Sequence, residues 1–166
     1  MNQTELESLA ARVGALLLSN GQRLATAESC TGGWAAQCLT AIAGSSVWFD
    51  RGFITYSNDA KLEMLGVSAE ALTAHGAVSE ATAAAMAIGA LRHSHADWAL
   101  AITGVAGPSG GSPGKPVGTV CFAWAGPEGL LAADTRFFQG SRTEVRSQSV
   151  EHALQGILQR AASLNA

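Results

Sequence analysis

The chain has 166 residues, 48% of them hydrophobic and only 14% charged, which excludes a disordered chain and allows a sizeable packed core. A net charge of −3 with no basic cluster argues against a nucleic-acid partner. No apolar run approaches the ~18 residues of a membrane-spanning helix, and the polar start is unlike a secretory signal, so we expect no membrane partner. These totals predict one cytoplasmic domain over residues 1–166, and the low charge content favours a homo-oligomer.

The first half of the chain alternates helical and extended patterns. Apolar residues at i, i+3, i+4 and i+7 predict a first helix from Leu6 to Leu17 that stops near Gly21. Short apolar runs predict strands at Leu24–Ala27 and Val47–Tyr56. The other helices predicted here are Thr31–Ala43, ended by Gly44, and a short helix that carries Lys61, with Asn58 as its N-cap and Gly66 at its end.

The second half combines helices with a late pair of strands. Gly104–Pro116 holds five glycines and three prolines, so we predict a long loop there, and such loops are often functional. The other predicted segments are a short helix from Ser68 to Gly76, a helix Glu80–His93 capped by Ser79, a strand Trp98–Thr103, strands Val117–Trp124 and Leu130–Phe138 joined by a hairpin turn at Gly126–Gly129, and a last helix Ser141–Leu164.

This order of elements indicates an α/β fold. Alternating strands and helices followed by a hairpin predict a three-layer α/β/α domain whose sheet is mostly parallel, with at least one antiparallel strand. Ligands of such sheets bind where parallel strands end. The turn at Ser29, the segment after Tyr56 and the loop after Thr103 all follow strands, so we expect them to meet at one edge.

The junction between the first strand and the next helix is the best candidate for chemistry. Ser29 precedes two glycines there, and the backbone N–H groups of Cys30, Thr31 and Gly32 are candidates to stabilise a developing oxyanion. Cys30 is a rival nucleophile, although most free cysteines are small buried side chains. The same residues would also suit an ordinary helix cap.

A serine nucleophile needs a base, and no histidine has a local context that recommends it. Lys61 follows the second strand directly, and a lysine that is removed from water loses its proton more easily. Ser29 and Lys61 do not form the Ser-x-x-Lys pattern, so only the fold can bring them together. Taken alone, Lys61 is more typical of an exposed helix lysine than of a base.

Phosphate and metal motifs are weak. Gly110–Lys115 superficially resembles a P-loop, but Ser109 stands where the first glycine belongs and Pro116 replaces the Ser or Thr that holds magnesium. A less specialised anion-binding loop that includes Lys115 stays open as an alternative.

The four histidines are scattered and the three cysteines lack ligand spacing, so we expect no metal and no cofactor.

Several long motifs occur in a fixed order along nearly the whole chain. They are Thr26–Gly33 (TAESCTGG), Gly44–Ser46 (GSS), Arg51–Asn58 (RGFITYSN), His75–Ser79 (HGAVS), Thr103–Pro108 (TGVAGP), Gly110–Gly111 and Lys115–Thr119 (KPVGT). Together they strongly resemble the CinA-type C-terminal domain family, and within it the stand-alone nicotinamide-nucleotide amidases. The N- and C-terminal helices are less diagnostic.

The resemblance implies a metal-free bacterial amidase that recycles pyridine nucleotide by converting nicotinamide mononucleotide to nicotinic acid mononucleotide and ammonia. It implies a five-stranded mixed sheet and a homodimer. It places the nucleophile at Ser29 and the general base at Lys61, and it puts Ser46 and Tyr56 among the catalytic or supporting residues. The implied substrate-binding positions, from the loop segment and the start of the last helix, are Thr103, Gly104, Gly107, Gly111, Lys115 and Arg142.

Three alternatives stay open from the residues alone. The chain would be a nucleotide-binding regulatory module without turnover if Lys61 did not lie beside Ser29. It would be a hydrolase of another small amide if the loop gave no preference for phosphorylated compounds. A cysteine mechanism would need Cys30 in place of Ser29.

Overall fold

The computed structural model describes residues 1–164. None of the helices in that range is both long enough and apolar enough to cross a membrane. The helices are α1 (Gln3–Asn20), α2 (Trp34–Thr40), α3 (Asn58–Leu65), α4 (Ala69–His75), α5 (Glu80–Arg92) and α6 (Arg142–Ser163), and short 3-10 turns lie at Ser45–Val47 and Pro127–Gly129. The strands are β1 (Leu24–Glu28), β2 (Phe49–Ile54), β3 (Trp98–Gly104), β4 (Thr119–Ala125) and β5 (Leu131–Phe137).

The five strands form one mixed sheet in the order β2-β1-β3-β4-β5. β1 pairs in parallel with both β2 and β3, whereas β4 runs antiparallel to β3 and β5. The predicted α/β class and mixed, mostly parallel sheet are confirmed, with β4 as the reversed strand. The carboxyl ends of β1, β2 and β3 therefore meet at one edge, which is where the three unusual segments leave the sheet.

The two faces of the sheet carry side chains of different size. Trp98, Leu100 and Ile102 of β3 pack with α1, α2 and α6, whereas Ala99 and Ala101 pack on the α5 side. Alternation of side chains along a strand produces this division. Small residues let α5 lie close to the sheet, and helices cover both faces in three layers.

A glycine on α5 brings α3 into position. A Cβ at Gly89 would lie 2.0 Å from the Leu65 carbonyl oxygen, so only glycine allows the end of α3 to pack this closely. Leu65 is the last residue of α3, the helix that carries Lys61. The close packing therefore fixes the position of Lys61 relative to the sheet.

Some predicted element boundaries differ from the structure. α2 begins at Trp34 rather than Thr31, because Gly32 and Gly33 have φ values of 58° and 99°, which a right-handed helix does not accept. The N-cap of α3 is Ser57, whose hydroxyl accepts from the Ala60 N–H, and not Asn58. These shifts move the start of each helix but not the order of the elements.

Candidate active site

A cavity of about 310 Å³ lies at the carboxyl edge of β1, β2 and β3, within the range of roughly 300–1,000 Å³ that small-molecule sites occupy. Its lining comprises Ser29, Cys30, Tyr56, Asn58, Lys61, Ala77, Val78, Thr103 to Gly107, Ser109, Gly110 and Arg142. Most of the predicted site residues are therefore brought together. A larger hollow of about 590 Å³ beside the start of α1 and α6 holds no lysine or histidine next to a hydroxyl or thiol.

Ser29 and Lys61 meet at the inner end of the cavity. The Lys61 Nζ lies 3.1 Å from the Ser29 Oγ and donates a second hydrogen bond, of 2.9 Å, to the Thr55 carbonyl oxygen. Lys61 is 1% exposed and Ser29 is 8% exposed. Burial lowers the pKa of the Lys61 amine, because removing an ammonium from water disfavours its charged form. This is the geometry of a nucleophile beside its base.

Backbone pairing holds both ends of this contact. The Ser29 N–H donates to the Ile102 carbonyl, so Ser29 continues the sheet one residue beyond β1. The Thr55 N–H donates to the Glu28 carbonyl in the same way beyond β2. The hydroxyl of Ser29 and the carbonyl that orients Lys61 are thus both attached to the rigid edge of the sheet.

The N-terminus of α2 is occupied by a carboxylate from its own chain. Glu28 is 1% exposed, and its Oε1 accepts from the Thr31 hydroxyl at 2.7 Å and from the Ala35 N–H at 2.8 Å. Its Oε2 accepts from the Ala36 N–H at 3.1 Å. Burial raises the pKa of Glu28, and these hydrogen bonds oppose that rise. The positive end of this helix dipole therefore binds Glu28 rather than facing a ligand.

Two of the three predicted oxyanion donors keep a free backbone N–H. The Gly32 N–H donates to the Ser29 carbonyl at 3.0 Å, so the prediction for Gly32 is wrong: the tight turn uses that donor. Within residues 1–164, the N–H groups of Cys30 and Thr31 donate to no backbone carbonyl. Cys30 lines the cavity, whereas Thr31 is 0% exposed and does not, so the Cys30 N–H is the one that a ligand beside the Ser29 hydroxyl can reach.

An arginine from α6 binds the outer side of the same turn. The Arg146 Nε donates to the Cys30 carbonyl and its Nη2 donates to the Thr31 carbonyl, both at 3.1 Å. Its guanidinium lies 5.4 Å from the centre of the Trp34 ring. No local motif points to Arg146, which is 116 residues from Cys30, so sequence reasoning missed it. Glu28 was also missed, although an acidic residue just before a helix start is a recognisable signal.

The mouth of the cavity is polar and open. The Arg142 Nη1 donates to the Gly107 carbonyl at 2.8 Å, and its Nη2 donates to the Tyr56 hydroxyl at 3.1 Å. Tyr56 is 62% exposed. Among the described residues that line the cavity, Lys61 and Arg142 have basic side chains, of which Arg142 keeps its positive charge, and none carries a carboxylate. The cavity therefore suits an anionic ligand.

The loop after β3 adds backbone donors to this mouth. Among the residues that the structure describes, the N–H groups of Gly107, Ser109 and Gly110 make no backbone hydrogen bond. Gly107 and Gly110 have φ values of 85° and 96°, a conformation in which successive N–H groups form anion-binding concavities. Thr103 supports the opposite wall, because its hydroxyl donates to the Ala77 carbonyl at 2.8 Å.

Besides Thr31 and Gly32 of the turn, three predicted site residues do not line the cavity. Ser46 is exposed in the 3-10 turn before β2, at the sheet edge opposite Ser29, so it does not reach the site within this chain. The Lys115 Nζ donates to the His75 carbonyl at the end of α4, where it satisfies a helix C-terminus. Gly111 is exposed and packs on Val117. The separation of these residues from Ser29 by the folded chain is the physical reason for each correction.

The thiol of Cys30 is a poor nucleophile in this setting. Burial, followed by the nearby Glu28 carboxylate, raises its pKa to about 12. A thiol at a helix start would otherwise ionise more easily. Because burial, and after it the Glu28 carboxylate at that helix start, raises its pKa, Cys30 stays protonated near neutral pH. As for metals, residues 1–164 hold no group of three or more His, Cys, Asp or Glu side chains placed to bind one.

The fold and the site define the class of protein. The family model described as "CinA C-terminal domain" matches residues 6–161, and the chain belongs to that family. It is 52% identical over 160 residues to the nicotinamide-nucleotide amidohydrolase PncC of Escherichia coli strain K12, covering 96% of this chain and 97% of that relative. It is 49% identical over 158 residues to the protein of the same name from Enterobacter agglomerans, covering 95% and 96%.

Solved structures of the family share the fold. The competence/damage inducible protein CihA from Agrobacterium tumefaciens gives a TM-score of 0.91 at 47% identity, covering 100% of this chain and 98% of that one. A CinA superfamily protein from Klebsiella pneumoniae gives a TM-score of 0.92 at 41% identity, covering 98% and 99%.

Proposed function

We propose that the chain is an amidohydrolase that converts nicotinamide mononucleotide to nicotinic acid mononucleotide and ammonia by a serine–lysine mechanism. The observation that carries the proposal is the buried hydrogen bond of 3.1 Å between the Lys61 amine and the Ser29 hydroxyl. The names of the Escherichia coli and Enterobacter agglomerans relatives support the substrate. A regulatory module without turnover would have no need for this pair.

In the first half of the reaction, the Ser29 Oγ attacks the carboxamide carbon while neutral Lys61 takes the hydroxyl proton. The carbonyl oxygen becomes an oxyanion, which the N–H group of Cys30 stabilises. Lys61 then gives its proton to the amide nitrogen, the C–N bond breaks, and ammonia leaves an ester on Ser29.

In the second half, water attacks the ester carbon while Lys61 takes one of its protons. The same N–H group stabilises the second oxyanion. Lys61 returns the proton to the Ser29 Oγ as the ester bond breaks, and the carboxylic acid is released. Lys61 begins and ends each half neutral, so the lysine must be unprotonated in the resting site.

The surroundings of Lys61 favour that neutral state. The amine is buried, and no carboxylate lines the cavity to stabilise its positive charge. The Thr55 carbonyl accepts one N–H, which leaves the nitrogen lone pair free to turn toward Ser29. Burial and orientation together make this lysine suitable as a base.

Recognition of the nucleotide is assigned to the mouth. Arg142 and the free N–H groups of Gly107, Ser109 and Gly110 provide a cation and backbone donors that suit a phosphate. A phosphate bound at the mouth would remain apart from Lys61 and would not stabilise its protonated form. Remote binding of this kind positions the reacting amide.

Ammonia release from nicotinamide mononucleotide by the wild-type protein and its Ser29→Ala variant tests the proposal. We expect product from wild type and a loss of at least about 1,000-fold in kcat for the variant, because the nucleophile is removed. Stoichiometric binding of the nucleotide by wild type without ammonia would favour the regulatory module. Equal turnover of nicotinamide riboside, which lacks phosphate, would favour a hydrolase of other small amides.

Composition and the family resemblance add three predictions to this proposal. They are a role in pyridine nucleotide recycling, a cytoplasmic location and a homodimer. Sedimentation of the purified protein tests the last of these directly.

A further inference from the structure

Arg146 contacts the nucleophile turn without entering the cavity. It belongs to α6, is half-buried, and donates to the carbonyls of Cys30 and Thr31 through two different nitrogens. It is absent from the residues that line the cavity. Its ring partner Trp34 is itself held by a hydrogen bond of 2.8 Å from its Nε1 to the Gln3 Oε1.

The planarity of the peptide bond turns these two contacts into a directional constraint. The Cys30 carbonyl and the Thr31 N–H share one trans peptide plane, so they point in opposite directions. Because the carbonyl is held toward Arg146, the Thr31 N–H is held away from α6. The next plane is fixed at both ends, since the Thr31 carbonyl accepts from Arg146 and the Gly32 N–H donates to the Ser29 carbonyl.

The Ser29 carbonyl shares its own peptide plane with the Cys30 N–H, so the orientation of that N–H depends on the same contacts. We propose that Arg146 is a positioning residue that fixes this turn and thereby orients the Cys30 N–H as an oxyanion donor. This inference rests on the proposed function, in which that N–H stabilises the tetrahedral intermediate. Arg146 acts through the backbone and touches neither the substrate nor Ser29. Its forked guanidinium reaches two carbonyls at once, which a lysine cannot reproduce.

The test compares Arg146→Gln with a matched change on the same helix, Arg160→Gln. Arg160 also lies over a tryptophan, 4.0 Å from the centre of the Trp124 ring, and also donates to a carbonyl, that of Gly156. It makes no contact with the Ser29 turn. The pair therefore separates loss of an arginine on α6 from loss of this particular contact.

We expect Arg146→Gln to lower kcat for nicotinamide mononucleotide by about 10- to 100-fold, somewhat less than direct removal of an oxyanion donor. KM should change less than about threefold, because the oxyanion exists only after attack. Arg146→Lys should lie between wild type and Arg146→Gln, and Arg160→Gln should match wild type. The midpoint of thermal unfolding identifies any variant that fails to fold.

Unchanged kcat in both Arg146 variants, or a rise in KM with kcat preserved, would overturn the inference. If wild type itself released no ammonia, the proposed function would fail, and amide NMR spectra without substrate would then decide the structural part. Shifts of the Cys30, Thr31 and Gly32 resonances in Arg146→Gln but not in Arg160→Gln would support the role of Arg146 in setting this turn. Unshifted resonances would reject it.

Discussion

The inner end and the mouth of the cavity each hold one cationic side chain, in opposite environments. At the inner end, Lys61 is 1% exposed and hydrogen-bonded to Ser29. At the mouth, exposed Arg142 donates to the Gly107 carbonyl and the Tyr56 hydroxyl. Exclusion of water lowers the pKa of the lysine, whereas a guanidinium keeps its charge in proteins. In the proposed mechanism, proton transfer therefore takes place at the buried inner end of the cavity, and the charged phosphate is recognised at the exposed mouth.

The comparison also explains why the two cations are not interchangeable. A base must lose its charge, which a lysine does when it is buried and an arginine does not. A phosphate-binding group must keep its charge and offer several donors, which favours arginine at the exposed position. Changes at the inner end should therefore affect kcat, and changes at the mouth should affect KM.

The largest expected effect is at the inner end. Lys61→Arg keeps a positive donor near Ser29 but removes the base, and Lys61→Met removes both. We expect each to lower kcat by about 100- to 10,000-fold, the contribution typical of a general base. Steady-state ammonia release measures the effect, with circular dichroism to confirm folding. Retention of more than a tenth of wild-type kcat by Lys61→Arg would remove lysine from the mechanism.

A smaller effect is expected at the mouth. Arg142→Gln should raise KM for nicotinamide mononucleotide by about 10- to 100-fold, because a charge-assisted phosphate contact of roughly 1.5–3 kcal/mol is lost. Lys115→Gln is the matched control, since Lys115 contacts the end of α4 outside the cavity, and it should change KM less than about twofold.

The same Arg142→Gln variant should behave like wild type toward nicotinamide riboside, which has no phosphate to bind. A similar loss on both substrates would show that Arg142 shapes the cavity rather than recognising phosphate. A rise in KM for Lys115→Gln comparable to that of Arg142→Gln would return Lys115 to the site.

The buried lysine should also make stability depend on pH. Because the pKa of Lys61 is lowered on folding, the unfolded chain binds more protons between that lowered pKa and the ordinary value near 10.5. The free energy of unfolding should therefore rise with pH through this window, by about 1.4 kcal/mol for each tenfold loss of proton affinity. Lys61→Met lacks this dependence. Its free energy of unfolding minus that of wild type should therefore decrease as pH rises.

Urea unfolding of wild type and Lys61→Met at several pH values measures this difference, and other titrating groups cancel in the subtraction. A constant difference across the alkaline range would mean that folding leaves the proton affinity of Lys61 unchanged. The contrast between a lysine that loses its proton easily at the inner end and an arginine that keeps its charge at the mouth would then not hold.

The smallest effect is expected for Cys30→Ala. The variant keeps the backbone N–H at position 30 and loses only a thiol whose pKa is raised to about 12. We expect kcat within about twofold of wild type, because a protonated thiol contributes little as a nucleophile. A loss as large as that of Ser29→Ala would instead identify Cys30 as the attacking group.

Local patterns of the sequence predicted most of the fold. The helix-period spacing of α1, the caps at Ser68 and Ser79, and the glycine-rich hairpin between β4 and β5 depend on neighbouring residues, so they are readable one segment at a time. The boundaries that differed, such as the start of α2, depended on the positive φ values of Gly32 and Gly33.

The candidate site was only partly predictable. Local context pointed to Ser29 and Lys61 and the family resemblance added Arg142, and the structure brings all three to one cavity. The motifs of that resemblance suggested Lys115 and Ser46, which the folded chain places elsewhere. A motif indicates which residues are unusual, but it does not show in which direction each side chain points in the folded chain.

The sequence by itself determined the α/β order of elements, the alternation of large and small side chains across the sheet, and the tight turn that carries Ser29. Tertiary structure alone decided that Lys61 reaches Ser29, that Glu28 occupies the start of α2, and that Arg146 binds the outer side of the turn. The physical reason is the separation of the interacting residues along the sequence. Caps and periodicity act within a few residues. Burial, which lowers the pKa of a lysine, depends on segments that meet only when the whole sheet has formed.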